Sequence, residues 1–145
     1  MEEKESKTDV SSEEIKDILE NYKTVAVVGL STKEDRPSYQ VASYLQSKGF
    51  RIVPIRPLGN DILGEKVYSS LLEVPFGIDV VDIFRKPDAV LEIVKEAIEK
   101  KAKVVWMQEG VINNEAAGLA RKAGIRVVMD RCIKKEHQKL LGSCN

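Results

Sequence analysis

Apolar residues recur along this chain in two alternating patterns. Short, nearly continuous Val/Ile runs at Thr24 to Val28, Phe50 to Ile55, Asp79 to Phe84, Lys103 to Met107 and Ile125 to Met129 predict strands buried on both faces. Between them the apolar positions fall at helical spacing: Ile15, Ile18, Leu19 and Tyr22, then Val41, Ala42 and Leu45 within Ser38 to Lys48, then Val90, Ile93, Val94 and Ala97. The helix boundaries carry their usual signals. Ser11 or Ser12 with Glu14 caps the first helix, Gly49 ends the second and Pro87 opens the third. Asn113 or Asn114 caps a fourth that runs to Lys122 and stops at Gly124, and a basic terminal helix spans Ile133 to Leu141. Asn60 to Tyr68 reads as a turn with a short edge strand, and Ser69 to Glu73 as a small helical turn before Pro75.

Strands alternating with helices predict an α/β protein with a Rossmann-like doubly wound parallel sheet and right-handed crossovers. The expected organisation is a flexible segment at 1–10 and a single domain over 11–145. A strand order of 3-2-1-4-5 puts the topological switch point between the Val25 and Asp79 strands, so ligands belong at the carboxyl ends there. Those ends carry Gly29 to Ser31, Ile55 to Pro57, Phe84 to Pro87 and Gln108 to Val111.

Composition narrows the ligand classes. Lys plus Arg and Asp plus Glu both number 23 in 145 residues, so the formal net charge is zero and no global field draws in nucleic acid or an acidic membrane. Anion binding must be local. No apolar run reaches transmembrane length and Met1 to Lys7 is charged, which points to a soluble, cytoplasmic protein. Cys132 and Cys144 make no disulfide framework and no zinc-ligand spacing, so no metal site is expected.

The strand ends carry the candidate chemistry. Val25 to Val28 runs into Gly29-Leu-Ser31 and a loop bearing Thr32, Lys33, Arg36 and Ser38 at a helix start. A dinucleotide fingerprint needs three glycines, and only Gly29 is present, so side chains and amides of the longer loop must hold a phosphate. An NAD site also needs an acid at the end of the second strand. Here stands Pro54-Ile55-Arg56-Pro57, and Arg56 suits a phosphate on an adenosine ribose, unless it is simply an exposed arginine in a proline-flanked loop. Phe84, beside Arg85 and Lys86, either packs on an adenine or finishes the core. Gln108 and Glu109 emerge past an apolar strand where polar side chains reach a ligand, while Trp106 and Met107 belong to the core.

Catalytic groups are sparse. His137 lies among Lys134, Lys135, Glu136 and Lys139 and reads as an exposed helical residue. Cys132 follows Asp130-Arg131, where a cation favours a thiolate, although a buried structural cysteine is the simpler reading. Cys144 supports neither.

As a set, Ala26-Val-Val-Gly-Leu-Ser31, Arg36-Pro-Ser38, Val53-Pro-Ile-Arg-Pro57, Gly64-Glu-Lys-Val-Tyr68, Asp79-Val-Val-Asp-Ile-Phe-Arg85, Val105-Trp-Met-Gln108 and Val128-Met-Asp-Arg-Cys132 resemble the CoA-binding protein family. These are stand-alone relatives of the N-terminal CoA-binding domain of the succinyl-CoA synthetase alpha subunit. The resemblance spans about Ser11 to Leu141 and implies that Gly29, Ser31, Thr32, Lys33, Arg36 and Ser38 hold the CoA diphosphate. It further implies that Ile55 and Arg56 border the adenosine half and that Phe84 to Lys86 complete its pocket. The family's usual pattern has Asn where this chain has Arg56. The synthetase's phosphorylated histidine belongs to a second domain that this chain does not match, so carriage, sensing or delivery of coenzyme A or an acyl-CoA, without evident catalysis, is the expected role. An NADP-dependent oxidoreductase or redox sensor is the alternative. A third reading is an interaction subunit whose basic terminal helix binds a partner. A homodimer paired through an apolar sheet edge is an open expectation.

Overall fold

The computed structural model describes residues 10–142. Its five-stranded sheet comprises β1 (Thr24–Val28), β2 (Arg51–Ile55), β3 (Val80–Ile83), β4 (Val104–Met107) and β5 (Arg126–Val128). All neighbouring pairs are parallel and the order is β2-β1-β3-β4-β5. The α-helices are α1 (Ser12–Asn21), α2 (Pro37–Ser47), α3 (Val90–Glu99), α4 (Asn114–Lys122) and α5 (Ile133–Leu140). The doubly wound parallel sheet expected from the pattern is therefore the observed architecture.

Each strand divides its side chains between two cores because successive residues point to opposite faces. Ala26, Val28, Val81, Ile83, Val105 and Met107 pack against α3 and α4. Val25, Val27, Val80, Val104 and Trp106 pack against α1, α2 and α5. Trp106 is fully buried in this second core, and its indole N–H donates to the Arg131 carbonyl at 2.9 Å.

Local signals set the helix ends. The Ser11 hydroxyl accepts the Glu14 N–H at 3.0 Å, and the Asn113 side chain accepts the Ala116 N–H at 2.9 Å. The third helix begins as a 3₁₀ turn, Pro87–Ala89, before it becomes α3. The predicted edge strand shrinks to isolated bridges, Ile55 with Tyr68 and Ile62 with Glu65. Gly59 and Gly64 at positive φ, with Pro57, keep the intervening chain turning instead of extended. Tyr68 nevertheless pairs in parallel with Ile55 outside β2, and because β2 and β3 flank β1 on opposite sides, the order of connection switches between β1 and β3 as expected.

His137 departs from the reading of an exposed residue. It is buried, its Nδ1 and the Tyr44 hydroxyl share a hydrogen bond at 2.7 Å, and Tyr44 and Phe50 meet its ring edge-on. Burial and then the nearby Lys23 and Lys48 hold its pKa below the ordinary value. Helical spacing alone placed α5 without showing that His137 lies on its buried face. The expected flexible segment and Cys144 fall outside the described residues, save Val10.

Candidate functional site

At the switch point, β1 has β2 on one side and β3 on the other, and the chains leaving these strands diverge. Gly29 is the hinge of this crevice. Its N–H donates to the Ile55 carbonyl at 2.9 Å, and its φ of 90° turns the chain out of the sheet. A Cβ there would lie 2.5 Å from the Phe84 carbonyl oxygen. Conformation and close approach thus both require glycine.

The loop after Gly29 is braced by its own side chains. The Ser31 N–H donates to the buried Ser38 hydroxyl at 2.9 Å, and the Lys33 N–H donates to the Ser31 hydroxyl at 3.0 Å. The loop delivers α2 with Pro37 in its first turn, while Arg36 at the N-cap makes no capping hydrogen bond. Since no acidic residue occupies that turn, the positive end of the helix remains open to an external anion. Gly29, Ser31, Thr32, Lys33, Arg36 and Ser38 converge on one open groove of about 370 Å³, with Arg56 and Phe84 as its far wall.

Arg56 is neither free nor fully exposed. Its Nε donates to the Leu58 carbonyl at 2.7 Å and its Nη1 to the Leu30 carbonyl at 3.0 Å. The guanidinium therefore ties the loop after β2 to the loop after β1. With Ile55, Arg56 also lines a recess of about 140 Å³ that opens toward α3 and includes Ser69, Ser70, Arg85 and Glu96.

Phe84, Arg85, Lys86 and Gln108 line a larger cavity of about 720 Å³ with Pro37, Gln40, Val41, Glu109, Val111, Cys132 and Lys135. The Phe84 ring packs against the α1, α2 and α5 core, which places it on the face opposite α3. Gln108 is buried and already employed: its side-chain carbonyl accepts the Ile133 N–H at 3.1 Å and caps α5. Across the cavity mouth Lys135 bridges both Glu109 carboxylate oxygens at 3.0 and 3.1 Å, and this contact raises the Lys135 pKa. Cys132 is buried and free, as the simpler reading had it, but its side chain lines the cavity.

All the sequence-predicted residues therefore meet along one edge of the sheet. The readings missed Ser69, Ser70 and Glu96, as well as the α2 and α5 walls of the large cavity. Val41 was visible only as part of an apolar helix face. Ser69 and Ser70 carry no motif, and reach the site because Tyr68 pairs with Ile55.

Among the described residues no group of acidic, His and Cys side chains could hold a metal ion, and no helix is long and apolar enough to cross a membrane.

A family model described as a CoA binding domain matches residues 23–138. The Bacillus subtilis protein YneT is 41% identical over 127 residues, covering 88% of this chain and 94% of that protein. A solved structure from Pyrococcus horikoshii OT3 superposes with a TM-score of 0.91 at 42% identity, covering 98% of this chain and all of that one. The ADP-forming acetate–CoA ligase II of Archaeoglobus fulgidus is 30% identical over 117 residues, which are 72% of this chain but only 17% of the ligase.

Proposed function

The chain belongs to the family of CoA binding domains, and from that premise we propose that it holds coenzyme A or an acyl-CoA at the carboxyl edge of its sheet and serves as a carrier, sensor or delivery module without a chemical step of its own. The observation that carries the reading is the uncapped start of α2, facing the groove where Lys33, Arg36 and the braced Ser31–Ser38 loop converge. A diphosphate there gains charge-assisted hydrogen bonds and the helix dipole together. Arg56 and Ile55 then border the adenosine half, and the large apolar cavity beyond Phe84 receives the pantetheine arm. The ligase relatives are far longer than the segment they share with this chain, so the role proposed is binding and presentation, not ligation. The NADP-dependent alternative gains no support from these relatives.

Denaturing the purified protein and identifying released small molecules by mass spectrometry tests the reading, with calorimetric titration of the stripped protein alongside. Coenzyme A or an acyl-CoA is expected. Recovery of NADP, or no nucleotide together with no heat on adding CoA, overturns the proposal.

A further inference from the structure

Cys132 occupies an unusual place for a buried cysteine. It is free, it is the N-cap of α5, and its side chain makes no capping hydrogen bond, so the sulfur stands uncommitted at the positive end of that helix. The space it opens onto is the cavity of about 720 Å³ that it lines with Phe84 and Gln108.

Gln108 gives a second, independent sign that this cavity is built for a ligand. Its side chain is only 5% exposed, and because an N–H can be accepted only by oxygen, the bond from Ile133 fixes which end of the amide is spent. The Nε2 is left without a hydrogen-bond partner among the described residues, and it borders the cavity instead of being sealed in like the Asp82 carboxyl. An unpaired donor in so buried a side chain is costly, so the site calls for a carbonyl oxygen from outside.

The sheet supplies the scale. From β1 through β3 and β4 to β5 there are three strand spacings of about 4.8 Å, or roughly 14 Å in all. The arm of CoA has about twelve bonds between its phosphate ester oxygen and its sulfur, as many as four residues of backbone, and so reaches roughly 13–14 Å when extended. Resting on the CoA reading above, we propose that Cys132 is a covalent capture site for the CoA sulfur, loaded from the symmetrical disulfide of CoA. With the diphosphate beside Gly29 at the end of β1, the arm passes Phe84 after β3, offers an amide carbonyl to Gln108 after β4 and brings its sulfur to Cys132 just beyond β5. The Cys132 thiol gives up its proton and its sulfur attacks the nearer sulfur of the bound disulfide. That S–S bond breaks, a Cys132–CoA disulfide forms, and the outer CoA leaves as a thiolate that takes up the proton. One disulfide is spent and one is made, so no further oxidant enters. The exchange loads the protein once and turns nothing over, which makes the module a sensor of oxidised CoA that a dithiol resets.

The test incubates the reduced, ligand-stripped protein with CoA disulfide and follows its intact mass, with peptide mapping and calorimetric titration of CoA alongside. One CoA should add per chain, at Cys132, and a dithiol should release it. The reaction should outpace that with glutathione disulfide at equal concentration by at least about 10-fold, because binding in the cavity raises the effective concentration of the reacting sulfur. Arg36→Ala weakens the hold on the phosphates and should slow the CoA reaction about 10-fold or more, and Cys132→Ser should abolish it. An adduct confined to Cys144, equal rates with the two disulfides, an Arg36→Ala rate equal to that of the wild type, or no adduct overturns the capture site, while heat on adding CoA keeps the CoA reading standing. No adduct together with no heat overturns both.

Discussion

The two edges of the sheet carry similar materials arranged to opposite effect. At the carboxyl edge, positive-φ Gly29 lies near Lys33, Arg36, Arg56, Arg85 and Lys86. At the amino edge, positive-φ Gly124 and Lys101 lie beside Lys103 and Arg126 around a cavity of about 300 Å³. Cations and a cavity therefore do not distinguish the edges. In a parallel sheet with helical crossovers every connecting helix starts at the carboxyl edge and ends at the amino edge. The start of α2 adds its positive end to the cations of the first cavity, whereas α3 and α4 end beside the second and bring carbonyls there. The amino-edge cations offset helix carbonyls or join local pairs, as Arg126 does with Asp17 at 2.9 Å. Helix polarity is what distinguishes the two edges, and it favours an anion at the carboxyl edge.

The strongest test of this contrast uses glycine. Gly29 and Gly124 have φ of 90° and 84°, but a Cβ on Gly29 would strike the Phe84 carbonyl while one on Gly124 meets nothing within 4 Å. Gly29→Ala should cost about 3 kcal/mol in urea denaturation and abolish CoA binding, because strain and overlap add. Gly124→Ala should cost about 1 kcal/mol, from strain alone, and leave binding intact. Equal losses for the two would show that the close approach at Gly29 relaxes freely.

Next in size is the exchange of cations. Arg36→Ala should weaken CoA binding about 10- to 100-fold by calorimetry, the usual span for a hydrogen bond to a charged group. Lys103→Ala, at the other edge, should change affinity by less than about twofold. Similar losses from both variants would mean that overall charge, not helix polarity, attracts the ligand.

Asp82 sharpens the comparison from within. Its carboxyl lies fully buried on the middle strand with both oxygens unpartnered among the described residues, and burial pushes its pKa well above the ordinary value. Burial favours its neutral form, which puts no negative charge beneath the edge proposed to hold the ligand's phosphates. Because the folded pKa is the raised one, the stability tied to this proton is complete below the ordinary value of 3.8 and is lost as pH rises toward the folded pKa. Asp82→Asn should remove that decline from denaturation curves taken between pH 4 and 9, at most about 1.4 kcal/mol per pH unit. It should also leave CoA affinity at pH 7 within about twofold. A marked gain in affinity would reveal that the native carboxyl is ionised.

Much of this molecule was legible in order along the chain. The continuous Val/Ile runs, the Asn113 cap and the single Gly29 before a cationic loop depend on neighbours a few residues away, and local physics wrote them into the sequence. Ser38 shows where such reading stops. Its place in the loop marks it as a phosphate contact, but only the fold shows that its hydroxyl also accepts the Ser31 N–H and braces the loop. Gln108 likewise spends its carbonyl on α5, 25 residues onward.

By itself, then, the sequence determined the alternation of strand and helix, the order in which candidate residues reach the strand ends, and the loss of the dinucleotide glycines. Tertiary structure decided which groups remain free for a ligand. Arg56 is tied down by carbonyls at Leu30 and Leu58, His137 is turned inward against Tyr44, and Glu96 is carried to a recess beside Gly29 from the middle of α3. The physical reason is that periodicity reports a residue's own face, whereas hydrogen-bonding partners and cavities arise between segments distant in sequence.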